Sequence, residues 1–201
     1  ENRTLFGLGG WGWALLALAL SIRLGYAAYA LKTGISESHS DEYETVAINL
    51  VEHRGYAGLP GDTRPTAARE PVFVLLIAFL YWLFGQHPFV VLAAQSALNV
   101  GACVLLASCA RRLSGERAAR IALWLGLFYP YFIFYSAYFY RETCLVAVIA
   151  AFFHCAGSLL RAPTAAMSLW TGLTLGLSAV SMSSFLLVDA FVAPWLLLRL
   201  W

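Results

Sequence analysis

Long apolar runs are the feature that most constrains the fold of this chain. A helix needs roughly 20 apolar residues to cross the hydrocarbon core of a bilayer. Charged residues make up only 12% of the chain, against roughly 25% in ordinary soluble domains. The sequence therefore predicts an all-α, polytopic transmembrane helical bundle in a single membrane domain, residues 1–201, with about six spanning helices at about 8–31, 89–110, 118–138, 143–160, 166–182 and 184–200.

Length alone does not show whether the segment "PVFVLLIAFLYWLFG", residues 71–85, crosses the membrane or lies along its surface. The positions of the arginines decide between these two placements. If it lies along the membrane surface, the arginines of the other face satisfy the positive-inside rule. The prediction is then a long outer loop, 32–88, with amphipathic juxtamembrane helices, and a second, tyrosine-rich outer loop at about 136–142. The opposite side collects Arg3, Arg111, Arg112, Arg117, Arg120, Arg161 and Arg199.

The most polar stretch, "SHSDEYETVAINLVEHRGY", begins at Ser38. Its apolar residues recur at helical spacing, which predicts an amphipathic surface helix with its apolar stripe towards the membrane. Ser38 or Ser40 is placed to cap this helix, and Gly55 to end it. Asp41, in the first turn, is either a capping anion or a base at the mouth of a membrane cavity. The stripe is Tyr43, Val46, Ala47, Leu50 and Val51, and Glu42, Asn49, Glu52 and His53 are predicted to face water.

Four stretches in order carry a family resemblance: "SDEYETVAINLVEHRGY", "REPVFVLLIAFLYWLFG", "ARRLSGERAARIALWLGLFYP" and "YSAYFYRETCLVAVIAAF". Together they resemble the N-terminal membrane module of polyprenyl-phosphate-dependent, type C glycosyltransferases, especially the protein mannosyltransferase and aminoarabinose transferase group (family 39-type). Such enzymes continue into a domain on the outer face, so the chain looks like a segment or a truncated relative of something longer. The resemblance implies a transferase that moves a sugar from a polyprenyl phosphate to an acceptor hydroxyl on the extracytoplasmic side.

The resemblance also implies roles for individual residues. Asp41 matches the catalytic carboxylate, Arg69 in "ARE-P" matches the residue that contacts the lipid phosphate, and Glu142, beside Arg141, matches a second acidic site. Asp41 would take the acceptor proton while a guanidinium stabilises the departing phosphate, with inversion at the anomeric carbon. No cofactor is required by this scheme, although Asp41 and Glu142 together could hold Mg²⁺ or Mn²⁺. Further candidates for substrate binding are Arg141, Glu42, Arg64, Lys32 and Asp189.

Two ionisable residues inside predicted spans have other expected roles. Arg23 is predicted to snorkel to the outer interface, with contact to the lipid phosphate or to Asp41 as the alternative. Asp189 is expected to face a cavity or a partner, either in a structural hydrogen bond or against substrate.

The alternative function is a non-catalytic membrane protein that binds or carries lipid-linked sugar, or assembles with a partner. In either case the expected partners are a polyprenyl-phosphate sugar lipid, an acceptor glycan, lipid or protein hydroxyl, and membrane lipids. The net charge of +2 gives no sign of nucleic-acid binding. The predicted location is the bacterial inner membrane or an ER-type membrane, with the active site facing away from the cytoplasm.

Overall fold

The computed structural model describes residues 5–35 and 42–200. Within these ranges the chain is helical apart from turns and loops, and no strand forms. A short 3-10 turn at Leu5–Gly7 precedes the helices. These are α1 (Gly10–Lys32), α2 (Tyr43–Val51), α3 (Pro71–Phe84), α4 (Pro88–Phe128), α5 (Pro130–Tyr135), α6 (Arg141–Leu159), α7 (Ala165–Ser181) and α8 (Phe185–Leu200).

Helix α4 consists of two arms that fold back on each other. Gly115 has φ 82° and ψ −172°, a conformation essentially restricted to glycine. A Cβ atom built on Gly126 would lie 3.0 Å from Sγ of Cys103, whereas a straight helix would separate these residues by roughly 35 Å. The first arm, residues 88–114, and the second arm, residues 116–128, therefore form an antiparallel hairpin around the predicted loop.

Among the described residues, three helices are long and apolar enough to cross a membrane: α1, α4 and α6. The remaining predicted spans correspond to shorter helices, namely the second arm of α4, α7 and α8, and they stay predictions. A continuous helix over 118–138 was the wrong expectation. Tyr129 is extended, with φ −65° and ψ 120°, because the residue before a proline is disfavoured in the helical region, and Pro130 starts the separate helix α5.

Large apolar side chains cover much of the molecular surface. Leu113, Leu198 and Phe191 are 84%, 78% and 73% exposed, and Trp11 is 83% exposed. Water would make so much apolar surface unfavourable, while hydrocarbon would not. Together with the three long apolar helices, this surface indicates a membrane protein.

The first arm of α4 and helix α6 run antiparallel and connect two ends of the bundle. Gln95 Nε2 donates to the carbonyl oxygen of Tyr140 at 3.0 Å, just before α6 begins. About 25 Å further along α4, Arg112 Nη1 donates to Ser158 Oγ at 2.7 Å, near the end of α6. We call one end the ion-pair end (Glu42, Arg69, Glu70, Arg141 and Glu142) and the other the arginine-rich end (Arg111, Arg112, Arg117, Arg120 and Arg161).

Helix α3 begins and ends at the ion-pair end. Glu70, immediately before it, pairs with Arg141 at the start of α6, and Phe84 is followed within four residues by the start of α4. One face of α3 packs against α2 through Phe73, Val74 and Ile77. The opposite face exposes large apolar residues: Leu75, Phe79, Trp82 and Leu83.

Helix α2 rests on protein through the predicted apolar stripe. Tyr43, Val46 and Ala47 are buried in a cluster with α3, so the stripe faces α3 rather than the membrane. The prediction that Asn49 faces water is wrong. Asn49 is buried, and its Nδ2 donates to the carbonyl oxygens of Ala57 and Leu59, both at 2.8 Å. The helix ends at Val51, four residues before Gly55, and both proposed serine caps lie outside the described residues.

Arg23 does not snorkel to the interface. Its side chain is fully buried between α1 and α4. Nε and Nη2 donate to Asn99 Oδ1 at 3.2 and 3.0 Å, and Nη1 donates to the carbonyl oxygen of Ala19 at 3.0 Å. The amide of Asn99 supplies the acceptor that water would have supplied at the interface, so the guanidinium can remain inside the bundle.

Candidate functional site

Glu70 joins three separate segments at the ion-pair end. One of its carboxylate oxygens, Oε1, accepts from Arg141 Nη1 at the start of α6. The other, Oε2, accepts from the hydroxyl of Tyr43 at the start of α2, at 2.9 Å. Since Glu70 immediately precedes α3, this one carboxylate links α2, α3 and α6 at a point where each of them begins.

Arg69 is held beside Glu70 by contacts to α2 and to the loop that follows it. Its Nη2 lies 3.3 Å from Glu42 Oε2, and its guanidinium carbon lies 5.2 Å from the centroid of the Tyr43 ring. The Tyr56 hydroxyl donates to the backbone oxygen of Arg69 at 2.8 Å. The guanidinium is thus directed towards the start of α2, stacked on an aromatic face.

Four buried polar atoms at this end of the bundle have no hydrogen-bond partner among the described residues. They are Arg69 Nε, Gln95 Oε1, Glu142 Oε2 and Thr143 Oγ1. Buried polar atoms are nearly always satisfied, so each exception calls for an explanation. A bound polar ligand or ordered water at the ion-pair end would supply the missing partners.

The electrostatics of the cluster favour a charged Glu70 carboxylate and a neutral Tyr43 hydroxyl. Burial by itself would raise the pKa of Glu70, but hydrogen bonds from Arg141, from a backbone N–H and from Tyr43, together with the positive charge of Arg141, outweigh burial and lower that pKa below its ordinary value. Burial and the bond to Glu70 raise the pKa of Tyr43 to about 12. Tyr43 therefore remains a hydrogen-bond donor at neutral pH.

Arg141 lies between two acids, because its Nε is also 3.6 Å from Glu142 Oε1. The described cluster thus contains the carboxylates of Glu42, Glu70 and Glu142 against the guanidiniums of Arg69 and Arg141. Incoming anionic groups must displace a carboxylate or arrive with a cation. Glu42 is the easiest to displace, since its side chain is 57% exposed.

The structure brings together Arg69, Arg141, Glu142 and Glu42 from the predicted site. Asp41, the predicted base, lies outside the described residues, as does any metal pairing between it and Glu142. Lys32 is exposed at the last residue of α1. Arg64 lies on an exposed loop, where its Nε pairs with Asp62 Oδ2 at 3.0 Å, so it is not part of the described cluster.

Asp189 has its described contacts in another part of the bundle. Its two carboxylate oxygens each lie 3.2 Å from Ser178 Oγ, which links α8 to α7, and Asp189 lines a cavity between helices. Of the two expectations for this residue, the described contact is the structural hydrogen bond.

Sequence reasoning missed the organising roles of Glu70 and Tyr43. Glu70 stands between Arg69 and Pro71 in "ARE-P", and an acid at this position in a chain with few charges was the available signal. Tyr43 looked like an ordinary member of an apolar stripe. Its hydroxyl reaches Glu70 while its ring contacts Phe73, with centroids 5.3 Å apart, and residue type alone cannot predict such a double contact.

Within the described ranges, no group of three or more His, Cys, Asp or Glu side chains is placed to hold a metal ion. Comparisons with protein-family models, curated proteins and solved structures find no match to this chain. The glycosyltransferase resemblance therefore enters only as a proposal.

Proposed function

We propose that the protein is a membrane glycosyltransferase that moves a sugar from a polyprenyl phosphate to an acceptor hydroxyl, with the ion-pair end as its active site. The observation that supports this most is the meeting of Arg69, Arg141 and Glu142, residues far apart in sequence, around buried polar atoms that lack partners. A site that must bind a phosphate and accept a proton needs both guanidiniums and a carboxylate within reach of one ligand.

Arg69 is the proposed phosphate ligand. Its Nε is buried and unpartnered, so this one N–H has no competing acceptor, but bidentate recognition of a phosphate needs a second N–H beside it. Movement of the exposed Glu42 side chain would free Nη2 as well. Arg141 is the second candidate, although Glu70 and Glu142 already neutralise it.

Asp41 is the proposed base, and it directly precedes Glu42, whose carboxylate contacts Arg69. The acceptor oxygen attacks the anomeric carbon as the bond from that carbon to the phosphate oxygen breaks. The acceptor proton passes to the carboxylate, and the polyprenyl phosphate leaves as an anion stabilised by arginine. Because the reaction is a single displacement, the configuration at the anomeric carbon is inverted. Glu142, whose Oε2 is unpartnered, is the second candidate for the proton acceptor.

The proposed topology has six spanning helices with the ion-pair end outside the cytoplasm. Its support is the clustering of arginines at the opposite end of the bundle, as the positive-inside rule requires. The return of α3 to the end at which it began also supports it, since α3 then adds no crossing.

The test is sugar transfer from a radiolabelled polyprenyl-phosphate sugar in membranes that contain Asp41→Asn. We expect transfer to fall by about 10²–10⁴-fold, the usual contribution of a general base. Glu52→Gln is the matched control, because Glu52 is an exposed acid paired with Arg54 at the far end of α2, and its transfer rate should not change. Unaltered transfer by Asp41→Asn would show that the base is assigned wrongly.

A lipid-sugar carrier or assembly partner on the same scaffold is the second candidate. The observation that favours it is the closed network, in which the described acids and guanidiniums of the ion-pair end are already paired with one another. Reconstituted vesicles distinguish the two functions. A carrier moves labelled lipid-sugar across the bilayer without forming product, whereas a transferase forms product when acceptor is supplied.

A further inference from the structure

A cavity of about 570 Å³ lies between helices α4, α6, α7 and α8, and none of its lining residues belongs to the ion-pair end. Its volume falls within the roughly 300–1,000 Å³ typical of small-molecule sites. The walls are largely apolar, with Leu106, Phe152, Leu175, Val192 and Leu196 among them. An occupant must therefore be mainly hydrocarbon.

Two guanidiniums lie at one end of this cavity. Arg112 and Arg161 both line it, and Arg161 Nη2 donates to the backbone oxygen of Arg112 at 2.8 Å. Trp195 lines the same cavity. The guanidinium carbon of Arg199 lies over the Trp195 ring, 5.8 Å from the ring centroid. The cations belong to the arginine-rich end of the bundle, where the positive-inside rule predicts the cytoplasmic leaflet.

The described partners of Arg112 are neutral groups. Nη1 donates to the backbone oxygen of His154 at 3.0 Å and to Ser158 Oγ, and Nη2 lies 3.2 Å from His154 Nε2. Because Nε2 faces a guanidinium it must be the accepting nitrogen, so Nδ1 carries the proton towards Ser108 Oγ at 2.8 Å. The imidazole is neutral in this arrangement and cannot balance the charge of Arg112.

Neither Arg112 nor Arg161 has a carboxylate partner in the part of the chain that the structure describes. Their neighbour Arg111 does have one, since its Nη1 lies 3.6 Å from Glu116 Oε1. Two guanidiniums that line one cavity, and that have no carboxylate partner among the described residues, attract an anion, more strongly beside an apolar wall than in open water.

We propose that this cavity binds an anionic phospholipid from the leaflet at the arginine-rich end. One acyl chain occupies the apolar cavity, and Arg112 and Arg161 bind the phosphate of the headgroup. Free phosphate would leave the apolar walls without a role, and an uncharged lipid would leave the cations without one. Asp189, near the first turn of α8 and away from Arg199 in its last turn, repels phosphate and so fixes the orientation of the lipid. This inference uses none of the residues of the proposed active site and stands independently of it.

The first experiment measures lipid retained by the intact chain in nanodiscs made from equimolar phosphatidylglycerol and phosphatidylcholine. Native mass spectrometry should show preferential retention of phosphatidylglycerol. Arg161→Gln should lower that preference by about fivefold, and Arg112→Gln with Arg161→Gln by about tenfold or more, because each guanidinium near anionic lipid favours it by such a factor. Arg117→Gln with Arg120→Gln removes the same charge outside the cavity and should lower the preference much less, because these arginines act on anionic lipid at the surface without a cavity for its acyl chain.

The second experiment places the acyl chain. Phosphatidylglycerol with brominated acyl chains should quench the fluorescence assigned to Trp195 by difference from Trp195→Phe. Ala156→Phe, which fills the cavity, should lower that quenching to the level that lipid at the outer surface of the half-exposed Trp195 produces, while the arginines remain. The Arg161 side chain makes only one described hydrogen bond, at an exposed position, so Arg161→Gln still tests the proposal if the Arg112 variants fail to fold.

Equal retention of the two phospholipids by the unaltered chain would overturn the proposal. So would an unchanged preference in folded Arg161→Gln, or unchanged quenching in Ala156→Phe. Retention of a polyprenyl phosphate in place of phosphatidylglycerol, or a protein segment found in the cavity, would also overturn it.

Discussion

At the ion-pair end, the acids and guanidiniums that the structure describes are matched, and Glu70 ties α2, α3 and α6 together. At the arginine-rich end, Arg111 faces Glu116, while Arg112, Arg117, Arg120 and Arg161 have no carboxylate partner among the described residues. The first end uses charge to join segments that are distant in sequence. The second depends on apolar packing within the hairpin of α4 and leaves its cations available.

The difference matters because the two ends face different requirements. Unmatched arginines set membrane orientation and attract anionic lipid. A site that handles both a phosphate and a proton instead needs acids and bases at controlled positions, which a network of pairs provides. Between the two ends lies Arg23, which is buried and hydrogen-bonded to the neutral side chain of Asn99. The largest loss of stability is predicted when this partner is removed.

Asn99→Leu should destabilise the bundle strongly. Asn99 Oδ1 accepts two hydrogen bonds from the buried guanidinium of Arg23, and removing the partner of a buried charge costs about 3–5 kcal/mol. Thermal unfolding in detergent should show the loss, while Arg117→Met, at an exposed arginine, should change stability little. The double variant Arg23→Met with Asn99→Leu should recover much of the loss, and no recovery would contradict the role of this pair.

Packing between the two arms of α4 can be disturbed without altering any charge. A Cβ on Gly126 meets Cys103 Sγ at 3.0 Å and Cβ at 3.3 Å, whereas a Cβ on Gly101 meets nothing within 4 Å. Gly126→Ala should therefore cost about 1–3 kcal/mol through overpacking, and Gly101→Ala should be neutral or stabilising by up to about 1 kcal/mol. Equal unfolding midpoints for the two variants would contradict the hairpin packing.

Helices and their broad arrangement could be predicted from the sequence, because the length of each apolar run and the positions of the arginines can be read directly from the residue types. The separate arms around Gly115 and the separate short helix at Pro71–Phe84 follow from such patterns, whereas the position of that helix along the membrane surface stays a prediction. The helix break at Tyr129 could also have been predicted, because a proline follows this residue. It was missed because the apolar run continues through the break without interruption. Six crossings stay a prediction, since α1, α4 and α6 are the helices in the described part of the chain that meet the length and hydropathy needed.

The site was predictable in part. Arg69, Arg141, Glu142 and Glu42 could be selected because charged residues in an apolar chain are few. The fates of Asn49 and Arg23 could not, because both are buried by partners distant in space: the carbonyls of Ala57 and Leu59 for the former, and Asn99 for the latter. A polar residue in an amphipathic pattern is assigned to water by default, and only tertiary contacts override that default.

The smallest effect is expected at the ion-pair end, where Glu70→Gln keeps an acceptor for Tyr43 but removes the charge that faces Arg141. Partial exposure screens this pair, so the loss at neutral pH should be about 1 kcal/mol. Its dependence on pH is more informative than its size. Because the pKa of Glu70 is lowered on folding, its contribution is present above the unfolded pKa, about 4.3, and disappears as pH falls through the lowered value.

Unfolding measured from neutral to acidic pH should therefore show the unaltered chain converging on Glu70→Gln below about pH 4. Glu52→Gln, at an exposed pair, is the control and should remain close to the unaltered chain throughout. If the gap between the unaltered chain and Glu70→Gln stays constant with pH, Glu70 acts through packing rather than charge. The contrast between a charge-linked end and an end held by apolar packing would then no longer hold.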